Sequence, residues 1–266
     1  MTQTGIERPL IVSPSTWRAE RLRLLEQEKE LTRQRDRINE ARRRLPMVEF
    51  TKPYHFDGPR RDARLLDLFE GRQQLIVYHF MWLWEHGEPR DRGCVSCSMW
   101  ADQIARGHLA YLHARDTTFA LVSRAPLDRI EAFRARMGWR TPWWSSARSD
   151  FNFDLQVSFD ETTDPLVYNY RTKIEHERSG TGYYLDDEPP FDRPGISCFL
   201  RDGERVFHTY STYARGGESV GGAWYYLDLT ALGRQEAWEE PKGRATPRGA
   251  PAGSAKIRYP DEFPPV

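Results

Sequence analysis

The chain has 266 residues, and its 39 basic and 39 acidic side chains give a formal net charge of zero. This balance excludes the strongly basic field typical of nucleic-acid-binding proteins. No run of about 18 apolar residues and no apolar leader-type N-terminus is present, so we expect no membrane span and a cytoplasmic protein. An odd number of cysteines, three, is a poor disulfide framework in such a compartment.

A long amphipathic helix is predicted from about Trp17 to Arg44, after a loose arm at residues 1–13. Ser15 or Thr16 can cap it, and Pro46 stops it. Apolar residues recur every seven positions, at Trp17, Leu24, Leu31, Ile38 and Leu45. This narrow seam indicates either packing on the chain's own domain or contact with a second copy, as a homodimer or a swapped arm.

Two cysteines follow the first apolar strand. The pattern predicts a strand at Met47–Phe56, a short helix at Ala63–Phe69 and a buried strand at Leu75–Met81. A charged loop at Glu85–Gly93 then leads to Cys94 and Cys97, with a helix over Ser98–His108.

The remaining elements alternate between strand and helix before a polar insertion. They are a buried strand at Thr117–Ser123, a helix at Leu127–Met137, an aromatic loop around Trp139, Trp143 and Trp144, a strand at Phe151–Phe159, a polar insertion at 160–194, a hairpin of Ile196–Leu200 and Arg205–Tyr210, and a short helix at Ala223–Leu229. We therefore expect an arm and helix at 1–46, a main domain at 47–232, and a flexible or surface-draped tail at 233–266.

This order predicts an α/β fold. A strand, a helix and a strand with a right-handed crossover form a parallel pair, and an added hairpin makes the sheet mixed, with helices on both faces. That is the thioredoxin-like arrangement, extended here by the long N-terminal helix and the insertion before the final hairpin. A CxxC pair at the first strand-to-helix turn is where such a fold keeps its chemistry.

Several segments also resemble a known bacterial family. They are YHFMW (78–82), RGCVSCSMWAD (92–102), FALVSRAPLDRIEAFRARMGWRTPWWSS (119–146), SDFNFD (149–154) and FLRDGERVFHTYSTYARG (199–216). The family belongs to the thioredoxin-like superfamily and is labelled a domain of unknown function or a predicted dithiol-disulfide oxidoreductase. The resemblance spans roughly Trp17 to Gly233 and implies a thioredoxin-like fold with peroxiredoxin-like additions.

The sequence departs from that family's pattern at two positions. Val95 stands where the family usually has proline after the first cysteine. Thioredoxin-like redox proteins place a cis-proline before the third core strand, and the nearest candidate is Pro194, with Ile196 the alternative occupant. A peroxiredoxin pattern of Pro and Thr before a single cysteine is absent.

The first functional hypothesis is dithiol-disulfide exchange. Cys94, at a helix start and near Arg90 and Arg92, would be the attacking thiolate, and Cys97 would resolve the mixed disulfide. Its partner would be a small-molecule or protein thiol or disulfide. No cofactor is required, because the chain has no dinucleotide-type glycine loop.

Two alternatives remain open from the sequence. Cys94 and Cys97 with His79 and His86 could bind copper or zinc. The chain could instead be a non-catalytic binding or assembly module that uses its long helix and aromatic loop. Cys198 is expected to be buried and inert, and Asp102 to be an exposed helix residue with a lesser claim as a buried proton acceptor.

Overall fold

A six-stranded mixed sheet organises the fold, in a computed structural model that describes residues 8–221, 224–231, 239–240, 242 and 259–262. The strands are β1 (Val48–Glu49), β2 (His55–Phe56), β3 (Ala63–Arg64), β4 (Gln74–His79), β5 (Trp82–Glu85), β6 (Glu88–Gly93), β7 (Thr117–Ser123), β8 (Trp143–Ser145), β9 (Ser158–Phe159), β10 (Val167–Tyr168), β11 (Arg171–Thr172), β12 (Phe191–Asp192), β13 (Gly195–Asp202) and β14 (Arg205–Tyr213). The helices are α1 (Pro14–Arg43), α2 (Val95–Ala101), α3 (Arg106–His113), α4 (Leu127–Met137), α5 (Phe151–Asp154), α6 (Lys173–Arg178) and α7 (Trp224–Leu227). Short 3-10 turns lie at Leu65–Phe69, Gly182–Tyr184, Ala214–Val220 and Pro260–Glu262.

The topology of the sheet is thioredoxin-like. Its strand order is β1-β14-β13-β4-β7-β8. Strands β4, β7 and β8 run parallel, whereas β13 is antiparallel to both β4 and β14. A strand-helix-strand crossover therefore supplies β4 and β7, and a hairpin supplies β13 and β14. The predicted α/β fold is confirmed, with its mixed sheet, its long N-terminal helix and its insertion before the hairpin.

The side chains of β4 alternate between the two faces of the sheet, as the pleat requires. Leu75, Val77 and His79 point to one face, and Tyr78 lies on the other with Phe80, which follows the strand. Its neighbour β7 is buried along all seven residues, which is why its centre is a continuous apolar run, Phe119–Val122, between hydroxyl residues.

Each face of the sheet carries its own buried core. The cysteine-side core includes Tyr78, Phe80, Trp82, Cys94, Cys97, Trp100, Phe119, Leu121, Ile130, Phe133, Trp143, Ile196 and Tyr259. The opposite core includes Phe56, Leu68, Phe69, Leu75, Val77, Val122, Trp144, Phe151, Phe159, Tyr168, Phe199 and Tyr213. The sheet thus separates the cysteines from the packing of the insertion.

The apolar seam of helix α1 is exposed to solvent. Ser13 caps its start by accepting a hydrogen bond from the Thr16 backbone N–H at 3.2 Å, and Pro14 occupies the first turn. No residue of its 30 is buried. The Arg42 guanidinium lies over the Tyr210 ring at 4.5 Å and ties the C-terminal end to β14. The helix was predicted to start three residues later than it does.

The segment predicted as a charged loop at Glu85–Gly93 instead completes a hairpin of β5 and β6. Its two-residue turn is His86-Gly87, with φ values of 50° and 83°. Positive φ at both central residues matches the twist of the flanking strands. The aromatic alternation of Trp82 and Trp84 was the strand signal, and Pro89 together with the charges concealed it.

Three other predicted boundaries were wrong. The strand predicted at Phe151–Phe159 is helix α5 followed by β9, because Phe151 and Leu155, four residues apart, both face the core. The strand predicted at Met47–Phe56 splits into β1 and β2 around Pro53, which has no N–H for a ladder. The helix predicted at Ser98–His108 is two helices, α2 and α3.

The insertion is ordered around a buried histidine. His176 Nε2 pairs with the Tyr168 carbonyl and its Nδ1 with the Thr181 hydroxyl, each at 2.8 Å. Tyr168 and Tyr184 pack beside it, at ring-centroid distances of 6.4 and 5.6 Å. The polar insertion therefore contains a small folded unit of hairpin and helix.

The predicted tail is described only in part, since residues 243–258 lie outside the described residues. Residues Tyr259–Glu262 contact α4, and Tyr259 is 4% exposed. The helix predicted at Ala223–Leu229 is the shorter α7. None of the described helices is long and apolar enough to cross a membrane.

Candidate active site

Cys94 lies where the β5-β6 hairpin meets helix α2. It is the N-cap residue, with extended dihedral angles of −66° and 135°, and its carbonyl accepts from the Ser98 backbone N–H at 3.0 Å and from the Ser98 hydroxyl at 2.9 Å. Its own N–H donates to the Met81 carbonyl at 3.0 Å. These bonds fix the backbone of the first cysteine from both sides.

The residue before Cys94 has to be glycine. A Cβ on Gly93 would meet Phe80 Cε1 at 2.3 Å, so the Phe80 ring packs directly on the backbone there. The hydroxyl of Tyr259 donates to the Gly93 carbonyl at 2.8 Å from the other side. Phe80 and Tyr259, from two other parts of the chain, therefore fix the position of the backbone just before Cys94.

The two thiols are chemically unequal. The pKa of Cys94 is lowered, because the Cys97 thiol and the backbone N–H groups of Cys97 and Ser96 donate to it and outweigh the effect of burial. The pKa of Cys97 is raised well above its usual value by burial and by the neighbouring Cys94 sulfur. Both residues are free thiols, 7% and 2% exposed.

Tyr78 is a site residue that the sequence analysis missed. Its hydroxyl hydrogen-bonds to the Cys97 sulfur and opposes the rise in the pKa of that thiol. Its ring stacks on Trp100 with centroids 4.1 Å apart and planes 14° apart. Burial and the Cys97 sulfur raise the pKa of Tyr78 well above its ordinary value, so it remains a phenol that can donate. The available signal was its alternation with His79 in β4, which places it on the cysteine side.

The four predicted metal ligands are not brought together. His79 lies on the opposite face of the sheet from the cysteines, with its Nε2 2.9 Å from the Ser197 hydroxyl. His86 is exposed at the tip of the β5-β6 hairpin, whereas the cysteines follow its base. Among the residues that the structure describes, no cluster of three or more His, Cys, Asp or Glu side chains is suited to a metal.

The secondary candidates also lie apart from the thiols. Asp102 is exposed and accepts from the Trp139 indole at 2.9 Å. Cys198 is half-buried beside Arg42 and pairs in register with Ile76; burial raises its pKa to about 11, and the Arg42 charge opposes this. Arg90 is ion-paired with Glu85.

Strand β13 contacts the cysteine-side core through Ile196, which is 6% exposed, and not through Pro194. Pro194 directly precedes β13, and its carbonyl accepts from the Tyr168 hydroxyl at 2.7 Å. In the described part of the chain, the cis peptide bonds precede Pro165 and Pro190. The neighbour of the cysteine pair on this strand is thus aliphatic.

Residues 6–257 match a family described as a bacterial protein of unknown function (DUF899). The chain belongs to this family. No curated protein matches it.

Solved structures similar to the chain include peroxiredoxins at low identity. A peroxiredoxin Q mutant from Xanthomonas campestris is 10% identical, with 66% of this chain and 91% of that chain covered and a TM-score of 0.41. A PrxQ mutant from Xylella fastidiosa is 13% identical over 66% and 91%, with a TM-score of 0.38. An uncharacterized conserved protein from Geobacillus kaustophilus is 12% identical over 70% and 85%, with a TM-score of 0.29. The thioredoxin-like assignment rests on the strand order described above.

Proposed function

We propose that this protein is a dithiol-disulfide oxidoreductase in which Cys94 attacks and Cys97 resolves. The observation that carries the proposal is the placement of the pair: Cys94 is the N-cap residue of α2 at the end of the β5-β6 hairpin, and Cys97 lies one turn further on in the cysteine-side core. The pKa shifts agree with this order, lowered at Cys94 and raised at Cys97. The thiolate is the nucleophile in disulfide exchange, and the second thiol has to stay protonated until the mixed disulfide has formed.

The proposed reaction has two exchange steps. The Cys94 thiolate attacks one sulfur of a substrate disulfide; the substrate S–S bond breaks, a mixed disulfide forms, and the departing thiolate takes a proton from solvent. Cys97 then gives its proton to solvent and attacks Cys94 Sγ, which forms the Cys94–Cys97 disulfide and releases the second substrate thiol. The substrate gains two electrons, the pair loses two, and an external thiol reductant restores the pair.

Tyr78 is a positioning residue in this scheme. Negative charge develops on Cys97 in the second step, and the phenol already points its hydroxyl at that sulfur. A hydrogen bond to an ionised group contributes about 1.5–3 kcal/mol. Tyr78 therefore favours resolution of the mixed disulfide and not the first attack.

The proposal is tested by trapping. The Cys97→Ser variant should accumulate a stable mixed disulfide between Cys94 and a substrate thiol, detected by mass spectrometry after acid quenching. Cys94→Ser should form no adduct. Cys198→Ser should keep the turnover rate of the parent chain, since Cys198 lies outside the cysteine-side core. Failure of Cys97→Ser to form an adduct with either a small disulfide or a disulfide-bearing protein would favour the non-catalytic binding module.

We also propose that a second copy of the chain covers the seam of α1. Leu24, Leu31 and Ile38 are 49%, 66% and 49% exposed, at a spacing of seven residues. A helix of 30 residues is about 45 Å long. Its one apolar residue in every seven forms a narrow stripe that the same stripe of a second copy can cover.

A further inference from the structure

The C-terminal segment Tyr259–Glu262 is built into the cysteine site. Tyr259 is buried in the cysteine-side core with Cys94 and Phe133, at a ring-centroid distance of 5.7 Å from Phe133. Its hydroxyl donates to the carbonyl of Gly93, the residue immediately before Cys94. Tyr259 therefore contacts the backbone directly before Cys94, the residue that carries the attacking sulfur.

A charged clamp on helix α4 holds this segment. Arg136 donates from Nε to Asp261 Oδ2 at 2.7 Å and from Nη2 to Asp261 Oδ1 at 3.1 Å, a bidentate pair. The same guanidinium lies 4.8 Å from the centre of the Tyr259 ring. Glu262 closes the turn by accepting from the Tyr259 backbone N–H at 3.1 Å. One arginine thus holds both the aromatic residue and the acidic turn.

The ion pair between Arg136 and Asp261 is weak, so it can break and let Tyr259–Glu262 move away from α4. The Arg136 and Asp261 side chains are 39% and 33% exposed, and exposed ion pairs contribute little to stability and less as salt rises. By contrast, Cys94 and Cys97 are almost fully buried in this arrangement. A substrate sulfur has to approach Cys94 in line with the new bond, so closure and reaction are incompatible.

We propose that Tyr259–Glu262 is a latch: bound to Arg136 it closes the cysteine pair, and released it exposes Cys94 to a disulfide carried on a polypeptide. The substrate class rests on the proposed exchange function, whereas the closure rests on the contacts alone. The polypeptide substrate follows from the size of the cover, since the displaced segment spans four residues between α4 and the β6-α2 junction.

The latch is tested by the rate at which Cys94 reacts with iodoacetamide, followed by peptide mass spectrometry in full-length protein. Arg136→Ala should raise this rate about two- to fivefold, the factor that corresponds to loss of an exposed ion pair. Tyr259→Ala should raise it at least as much. Arg129→Ala, at an exposed arginine two turns earlier on α4, is the matched control and should leave it unchanged.

A salt titration of the parent protein gives a second measurement that needs no variant. Raising the salt concentration should speed Cys94 alkylation in the parent chain and have a much smaller effect in Arg136→Ala. Equal rates in the parent, Arg136→Ala and Tyr259→Ala, together with no salt effect, would overturn the latch.

Alkylation rates test the latch, and trapping of a mixed disulfide tests the exchange function. Faster alkylation in the variants without any trapped mixed disulfide would leave the latch standing and remove the exchange function. Trapping with unchanged alkylation rates would do the opposite. A further readout bears on substrate class: Arg136→Ala should accelerate exchange with a disulfide-bearing protein more than with a small disulfide, and equal acceleration would remove the polypeptide assignment.

Discussion

At the scale of single residues, two thiols three positions apart are made different by what surrounds them. Cys94 accepts hydrogen bonds from its neighbours in the first turn of α2, whereas Cys97 points inward to Tyr78 and the core. Helix α2 has only seven residues, so these local donors and not a long macrodipole account for the lowered pKa. The spacing of CxxC alone contains none of this information.

Replacing Tyr78 by Phe should slow resolution of the mixed disulfide by about ten- to a hundredfold, because the developing Cys97 thiolate loses a charge-assisted hydrogen bond. The first attack by Cys94 should keep its rate. Stopped-flow measurement of the two phases separates them, and the pH midpoint of the second phase should move upward.

Tyr213→Phe is the matched control for that change. It removes an equally buried hydroxyl, which donates to the Leu155 carbonyl at 3.0 Å, but in the opposite core. Slowing of the second phase in Tyr213→Phe to the same extent would show that Tyr78 acts through general stability.

At the scale of elements, α1 and the cysteine-bearing unit differ in how they are stabilised. The helices and strands around the cysteines are held by burial on both faces of the sheet, whereas α1 depends on its cap, on Arg–Glu pairs such as Arg21–Glu28, and on contacts at its C-terminal end such as that of Arg42 with Tyr210. An isolated amphipathic helix gains most of its stability from packing of its apolar face. A second copy of the chain that covers the seam would supply this stabilisation.

Substituting Leu31 by Glu should shift the chain from dimer to monomer, since a charge would be placed in the middle of the apolar seam. Analytical ultracentrifugation measures the shift. Lys29→Glu alters charge on the opposite side of the same helix from Leu31, outside the seven-residue repeat, and should remain dimeric. An unchanged molecular mass in Leu31→Glu, or a monomeric parent, would rule out this partner.

At the scale of the whole molecule, the buried His79 links stability to pH. Burial lowers the pKa of His79 to about 3, with a smaller contribution from His208, whereas an unfolded histidine titrates near 6.5. Between these values the unfolded chain binds a proton that the folded chain does not, so stability is present above pH 6.5 and falls as the pH drops toward 3.

We expect His79 to lower the free energy of unfolding by about 1.4 kcal/mol per pH unit as the pH falls through this range. His79→Gln should make the curve shallower by one proton, as measured by urea denaturation between pH 4 and pH 7. His86→Gln, at the exposed hairpin tip, is the control. Identical slopes in His79→Gln and the parent would contradict the linkage.

The sequence was sufficient for the elements that bury a whole periodic face. Strand Thr117–Ser123 and helix Leu127–Met137 have the predicted bounds, and the final hairpin was placed correctly and is longer at both ends. The site was harder to predict, because Tyr78 and Tyr259 reach Cys97 and Gly93 through tertiary pairing, which no local pattern encodes. The break between α2 and α3 was missed because residues 102–105 contain neither glycine nor proline to mark it.

The alternation along β4 has a consequence for register. Tyr78 faces the thiols and His79 faces the Ser197 hydroxyl, so neighbouring residues of one strand serve opposite sides of the sheet. A one-residue insertion or deletion within this strand would exchange the two, placing an imidazole beside the cysteines and a phenol against the serine. The register of a single six-residue strand thus decides whether an imidazole or a phenol lies on the side of the two cysteines.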